Sequence, residues 1–200
     1  MDTVLVISYN SFSLKNANGM TILSLMSAYS KDNLIQLCRS TDEKNFSFAR
    51  SYFCVTDREM LTSFFFKKAR GIYDCPQNQT ESSNMDISTS SAELSKGLRK
   101  NNYNFVLRWL RELLWIIAPW GKRKLLKWVK ENNPQVIVYM VGESISNDID
   151  VLRIVKKRKI PFVLYNCEGY RTINVDERKG IEKFFYKTVE KSYKKLQRLS

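Results

Sequence analysis

Six apolar residues in succession, Val136-Ile137-Val138-Tyr139-Met140-Val141, bounded by Pro134 and Gly142, constrain this chain more than any other feature. A strand with one wet face alternates apolar and polar residues, whereas an unbroken β-branched run is the pattern of a strand covered on both faces in a parallel sheet. The rest of the sequence supplies its neighbours. Val4–Ser8, Leu34–Cys38, Tyr52–Thr56 and Phe162–Asn166 are short strand-like runs of the same kind. Between and after them lie helical patterns at Met20–Tyr29, Arg58–Lys68, Tyr103–Trp115, Lys122–Glu131, Ile145–Lys159 and Glu177–Leu199. Asp57 is placed to cap the second of these, and Pro119, Pro134 and Pro161 punctuate the others. The last pattern sets Ile181, Phe184, Phe185, Val189, Tyr193 and Leu196 on one side. At least five strands alternating with helices predict an α/β, Rossmann-like doubly wound, mostly parallel sheet with helices on both faces.

The 200 residues suit one domain of ordinary size. Residues 74–102 are rich in Ser, Asn, Thr and Gln without periodicity and are expected to form a polar, mobile insertion. Residues 103–131 form a basic, Trp-rich helical segment. Charge is divided unevenly: residues 1–95 carry 9 Lys and Arg against 10 Asp and Glu, and residues 96–200 carry 24 against 10. Such a basic half suits an anionic partner, or else presents a solvated lysine-rich surface.

Several chemistries are excluded at once. With no histidine, there is no Ser-His-Asp or Cys-His system and no His-containing zinc site. Neither G-x-G-x-x-G nor G-x-x-x-x-G-K-[ST] occurs, which argues against a dehydrogenase or an NTPase. Cys38, Cys54, Cys75 and Cys167 form no C-x-x-C pair and read as free thiols, so no metal site is expected and a reducing, cytoplasmic location is. The N-terminus, Met1-Asp2-Thr3 leading into Val4–Ile7, has no signal-peptide pattern, and no run of 18 apolar residues predicts a membrane span.

In a doubly wound sheet, ligands bind beyond the carboxyl ends of the strands. The loop Asn16-Ala17-Asn18-Gly19 precedes a helix whose free N–H groups could hold a phosphate or a sugar hydroxyl, although Asn-Gly is also an ordinary turn. Glu143 and Glu168 each follow a central strand beside a glycine, Gly142 and Gly169. They could bind sugar hydroxyls or act as a general base, or simply cap the next helix. Residues 96–130 hold ten basic residues against a single acid, Glu112, interleaved with all four tryptophans, Trp109, Trp115, Trp120 and Trp128. That composition suits a helix lying on an anionic membrane surface, and equally a helix packed on the sheet with its lysines in water. Admixture with Leu107, Leu110, Leu113 and Leu114 makes nucleic acid the weaker fit.

The order of elements resembles the N-terminal domain of bacterial GT-B fold glycosyltransferases of the family 4-like group. The residues carrying the resemblance are Val4-Leu5-Val6-Ile7-Ser8, Asn18-Gly19 before Met20–Ala28, and Tyr52-Phe53-Cys54-Val55-Thr56-Asp57. Further on, Asn133-Pro134-Gln135-Val136-Ile137-Val138 is similar to the family's "Pro-Asp-Val-Ile" strand entry, with Gln135 in place of Asp, and Lys159-Ile160-Pro161-Phe162-Val163 to its "Ile-Pro-hydrophobic" entry.

The resemblance implies that residues 1–200 are one half of a GT-B fold. They would be the acceptor-binding half of a hexosyltransferase that moves sugar from a nucleotide-sugar donor to a cell-surface polysaccharide or lipid-linked acceptor. It further implies Glu143 and Glu168 as catalytic carboxylates, and Asn16, Asn18, Gly19 and Thr21 as the loop bordering acceptor or donor phosphates. Asp57, Gly142, Gly169 and Tyr170 would line the cleft, and Arg108, Trp109, Arg111, Trp115, Trp120, Lys122, Arg123 and Lys124 would lie on the membrane. No cofactor is implied beyond the donor substrate. A donor-binding domain or subunit would be needed for activity, and self-association is expected where sheet surface lacks cover. A bulky residue in place of Gly19 is expected to abolish transfer and leave the fold intact. The contrasting expectation is a non-enzymatic α/β module that binds anionic membrane or nucleic acid through its basic aromatic surface.

Overall fold

The computed structural model describes residues 2–40, 47–66, 72–74, 103–119, 121–166 and 175–199. Its elements in chain order are β1 (Val4–Ile7), α1 (Ala17–Leu25), a 3-10 turn (Lys31–Asn33), β2 (Leu34–Cys38), β3 (Ser51–Cys54), α2 (Asp57–Phe66) and β4 (Ile72–Asp74). There follow α3 (Tyr103–Ile117), α4 (Lys122–Asn132), β5 (Val136–Met140), α5 (Ile145–Arg158), β6 (Phe162–Tyr165), a 3-10 turn (Val175–Glu177) and α6 (Gly180–Gln197). The strands form one sheet in the order β4-β3-β2-β1-β5-β6. All neighbours are parallel except β4, which runs antiparallel to β3 at the edge. This is the α/β, Rossmann-like architecture expected from the sequence.

The strand β4 is an addition: Ile72–Asp74 pairs with Ser51–Phe53, so the expected polar insertion loses its first residue, Asp74, to the sheet. Residues 75–102 lie outside the described residues.

The pleat sorts the core. Leu5, Ile7, Ile35, Leu37, Phe53, Ile137 and Tyr139 point to one face, where Met60 of α2, Trp115 of α3, Leu125, Trp128 and Val129 of α4, Val151 and Ile154 of α5 and Leu196 of α6 cover them. The opposite face, Val4, Val6, Leu34 and Tyr52, is covered by Ile22 of α1 and Met26 just after it, with Phe12 and Ala49. Helices therefore flank both faces, but unequally. On the α1 side Val136, Val138 and Met140 are only partly buried and Val163 of β6 is more than half exposed, so the six-residue run of β5 is not sealed on its second face.

Local capping explains where the helices depart from the expected bounds. Asn16 Oδ1 accepts the Gly19 N–H at 2.6 Å and starts α1 at Ala17, while the Met26 N–H, bonding back to Ile22 O and Ser24 O, caps it after Leu25, short of the expected Tyr29. Met20, Leu25 and Tyr29 consequently sit at the surface, not in a buried helix. At α2 the cap is Thr56, not Asp57. The Thr56 N–H donates to Glu59 Oε2 at 3.1 Å while the Glu59 N–H donates to Thr56 Oγ1 at 3.4 Å, a reciprocal box. In α6 the buried side is Phe185, Tyr186, Val189, Ser192 and Leu196, and Ile181 and Phe184 turn outward.

Two glutamines fix the strand entries. Buried Gln36 donates from Nε2 to Ser8 Oγ at 3.0 Å and accepts the Phe12 N–H at 2.9 Å, pinning the loop between β1 and α1. Gln135 Oε1 accepts the Thr3 N–H at 2.6 Å and its own N–H donates to Thr3 O at 2.9 Å, setting the register of β1 against β5.

Candidate functional site

Strand order reverses between β1 and β5: the chain builds outward from β1 through β2 to β3, then returns to the other side of β1 with β5. At such a switch point the loops leaving adjacent strands diverge to opposite faces and leave a crevice beyond the strand ends. A cleft of about 390 Å³ lies there, lined by Tyr9, Asn18, Arg108, Arg111, Glu112, Met140, Gly142, Glu143, Ser144, Asn147 and Phe185.

Each wall has a local cause. Asn18 is delivered by the first turn of α1, held down by the Asn16 cap. Gly19 beneath it approaches the preceding loop so closely that a Cβ would stand 2.8 Å from Ser11 O and from Ser13 N, and 2.6 Å from Ser13 Cβ. On the other side, Ser144 caps α5, its Oγ accepting the Asn147 N–H at 3.3 Å, and this turn presents Glu143. A Cβ on Gly142 would meet nothing within 4 Å.

The third wall comes from α3, whose Arg108 and Arg111, expected on a membrane, turn to the cleft instead. Arg108 forms an ion pair with Glu143 and stacks over Phe185, its guanidinium carbon 5.3 Å from the ring centroid. Arg111 holds Asp57 with two bonds, Nη2 to Oδ1 at 2.8 Å and Nε to Oδ2 at 3.0 Å, and also donates to the Tyr9 hydroxyl at 3.1 Å. Trp115 Nε1 donates to Asp57 Oδ1 at 2.7 Å. Glu112, almost fully buried, accepts the Ser146 N–H at 2.8 Å and the Ser144 hydroxyl at 3.3 Å. It thereby ties α3 to the first turn of α5, where free N–H groups need acceptors.

Below this layer Arg39, directly after β2, pairs with Asp150 of α5 at 2.6 Å and lies 3.8 Å over the Trp115 ring.

The electrostatics follow from these contacts. Burial lifts Asp150 above the usual carboxylate range despite Arg39, Arg153 and Lys122, and burial also lowers Arg39. For Arg111, burial alone would lower the guanidinium, but Tyr9, Asp57 and Glu112 outweigh it and raise the pKa. Burial, with Asp57 and Glu112 behind it, pushes the Tyr9 hydroxyl up from its ordinary 10.0, and Arg111 pulls the other way.

The residues expected at the site divide accordingly. Glu143, Asn18 and Gly142 line the cleft. Asp57 is engaged by Arg111 and Trp115. Asn16 and Gly19 act through the backbone they organise. Thr21 bonds to Ala17 O and lines a separate groove with Met20, Ser24, Leu25 and Tyr165. Glu168, Gly169, Tyr170 and Trp120 lie outside the described residues.

Of the expected membrane-facing side chains, Arg108 and Arg111 turn into the cleft and Trp115 is buried. Trp109 is half-buried against Phe184, ring centroids 6.3 Å apart, and Lys122 donates to Ile116 O. Arg123 and Lys124 remain exposed.

Tyr9, Arg39, Glu112, Ser144, Asn147 and Phe185 were not singled out as site residues by the sequence. Glu112 gave a signal as the one acid in a basic helical stretch, and Ser144 and Asn147 fall in the loop Gly142–Asn147 that leaves the strongest strand. Among the described residues no group of His, Cys, Asp or Glu could hold a metal ion, and no helix is long and apolar enough to cross a membrane. The free thiols Cys38 and Cys54 are buried register partners on β2 and β3, and Cys75 and Cys167 lie outside the described residues.

What the cleft offers a ligand is two carboxylates, Glu112 and Glu143, two side-chain amides, Asn18 and Asn147, and two guanidiniums around one open space, with the buried Phe185 ring behind Arg108. That is the equipment for a polyhydroxylated molecule. In comparisons with known proteins, no family model, no curated protein and no solved structure matches the chain.

Proposed function

We propose that the chain is the acceptor-binding half of a cytoplasmic glycosyltransferase that takes sugar from a nucleotide-sugar donor onto a polysaccharide or lipid-linked acceptor. The observation that supports this reading is the switch-point cleft itself. Its two sides, the first turn of α1 and the turn after β5, bring Asn18, Glu143 and Asn147 to one space beside Phe185. A pyranose presents hydroxyls around its edge, and amides and a carboxylate are the groups that bind such an edge. In this reading Glu143 accepts the proton of the attacking acceptor hydroxyl as its oxygen bonds to the anomeric carbon and the nucleoside diphosphate leaves. Arg108 holds the carboxylate in place until the hydroxyl arrives. The donor is bound by a second domain or subunit that closes over the cleft, and Glu168 is its second candidate carboxylate.

The test incubates the chain, together with polypeptide encoded next to it, with labelled nucleotide sugars and a membrane extract as the acceptor pool. Label should enter the lipid or polysaccharide fraction. Glu143→Gln should lower kcat by at least about a hundredfold, the usual worth of a positioned base, without moving the thermal transition. Transfer unaffected by that substitution, or no transfer in any pairing, overturns the reading.

A further inference from the structure

The helix α3 is amphipathic in the reverse sense from a surface helix. Its charged residues Arg108, Arg111 and Glu112 point inward, to Glu143, Asp57 and the Ser146 N–H. Val106, Leu107, Leu110 and Ile117 point outward and are between 43 and 57 % exposed. Val106, Leu110, Leu113 and Ile117 recur at the i, i+4, i+7, i+11 spacing of a single stripe, about 16 Å long at the rise of an α-helix. The patch continues onto α6: Trp109 packs against Phe184, and both Phe184 and Ile181 are exposed. A continuous apolar surface of this kind, on a helix that spends its polar residues internally, requires a non-aqueous cover.

Charge identifies the cover. The stripe is bracketed by exposed cations, Arg123 and Lys124 just beyond Ile117 and Lys179 and Lys187 around Phe184. Of the described acids of this half, Glu112, Asp148 and Asp150 are buried and Glu131, Glu143, Glu182 and Glu190 are in ion pairs, while exposed lysines outnumber them. Two copies of the face would bring like charges together, and nucleic acid would satisfy the cations but leave the leucines wet. An anionic bilayer meets both requirements, with acyl chains at the stripe and phosphate headgroups at its ends. We propose that the outward face of α3, with Ile181 and Phe184 of α6, seats the protein on an anionic membrane surface, and that the arginines of α3 serve the cleft and not the lipid. The proposal rests on surface geometry and is independent of the transfer reaction.

Vesicle co-sedimentation of the full chain tests it, comparing phosphatidylglycerol mixed with phosphatidylcholine against phosphatidylcholine alone. The protein should partition onto the anionic vesicles, less strongly as salt rises. Leu110→Asp/Ile117→Asp should weaken partitioning at least about tenfold with the thermal transition and molecular mass unchanged. Arg123→Glu/Lys124→Glu should weaken it and flatten its salt dependence. Should the doubly charged variant fail to fold, Leu110→Ser/Ile117→Ser is read in the same way.

The proposal is overturned by a wild-type protein that ignores anionic vesicles, or by folded stripe variants that bind them undiminished. It is equally overturned if the stripe substitution turns a dimer into a monomer, or if Arg123 and Lys124 are needed for single-stranded DNA and not for vesicles.

Discussion

Replacing Arg39 with methionine should be among the most damaging single changes in the described core, and the damage should fade in acid. Arg39 Nη2 sits 2.6 Å from Asp150 Oδ2, and both side chains are only 4 % exposed. The second carboxylate oxygen is held by Arg153 at 2.5 Å, a residue with 27 % of its side chain in solvent. Removing Arg39 leaves Asp150 charged, buried and half-compensated. Breaking a buried pair from one side costs about 3–5 kcal/mol, a large part of the roughly 5–15 kcal/mol that holds a domain together. In a chain of this size it should lower Tm by about 6–20 °C.

The pH dependence separates a charge effect from lost packing on Trp115. The carboxyl of Asp150 is raised by burial above its ordinary 3.8 even with Arg39 present, and loses its main opposing influence without it. A raised carboxyl penalises the folded state above its folded pKa and not below its unfolded one, so the deficit of Arg39→Met should shrink as pH falls from about 7 toward about 4. Asp150→Asn strands Arg39, which does not titrate in this range, and removes the raised carboxyl whose penalty wild type sheds in acid, so its deficit should not shrink and should grow as pH falls. The double variant Arg39→Met/Asp150→Leu should be more stable than the sum of the single losses by about 1–3 kcal/mol. Urea melts across this pH range provide the measurement. Additive losses, or an Arg39→Met deficit independent of pH, would refute the argument.

Two further outcomes follow from local geometry. Gly19→Ala should cost roughly 1–3 kcal/mol in a thermal melt, because its Cβ would stand 2.6–2.8 Å from the backbone and Cβ of the loop before α1, whereas Gly142→Ala meets open space and should be silent. The structure thus corrects the expectation that a bulky residue at Gly19 leaves the fold intact. Stability should also fall as pH rises past 9.0, the ordinary value from which the hydrogen bond with Cys54, and then burial, raise Cys38. Above that pH the unfolded chain loses the proton and the folded one keeps it, a slope of up to about 1.4 kcal/mol per pH unit, and Cys38→Ala should flatten the alkaline limb of a pH series of melts.

The sheet was legible because strands buried on at least one face must be written in apolar residues, and the bounds of the five parallel strands fall within two residues of their expected places. The sixth, Ile72–Asp74, was hidden because three residues at a sheet edge need little apolar pattern, their bonds being supplied by β3. Helix starts depended on which of two neighbouring polar residues took the cap. At α2 Thr56 won because Glu59 completes the box, which released Asp57 to bind Arg111 and Trp115.

The candidate site was legible only where it follows strands directly, as at Glu143 and Gly142. Composition marked residues 103–131 as basic and aromatic, but a count of charges does not say which way they point. The sequence alone determined the α/β class, the mostly parallel character of the sheet and the carboxyl-end location of the loops, since these follow from local pattern and chain connectivity. Tertiary structure alone decided that Arg108, Arg111 and Glu112 turn inward while Leu110 and Ile117 face out. That choice depends on partners 30 to more than 100 residues away in sequence, Glu143, Asp57, Ser146 and Tyr9, which bond the polar side chains of α3 and satisfy the buried Glu112.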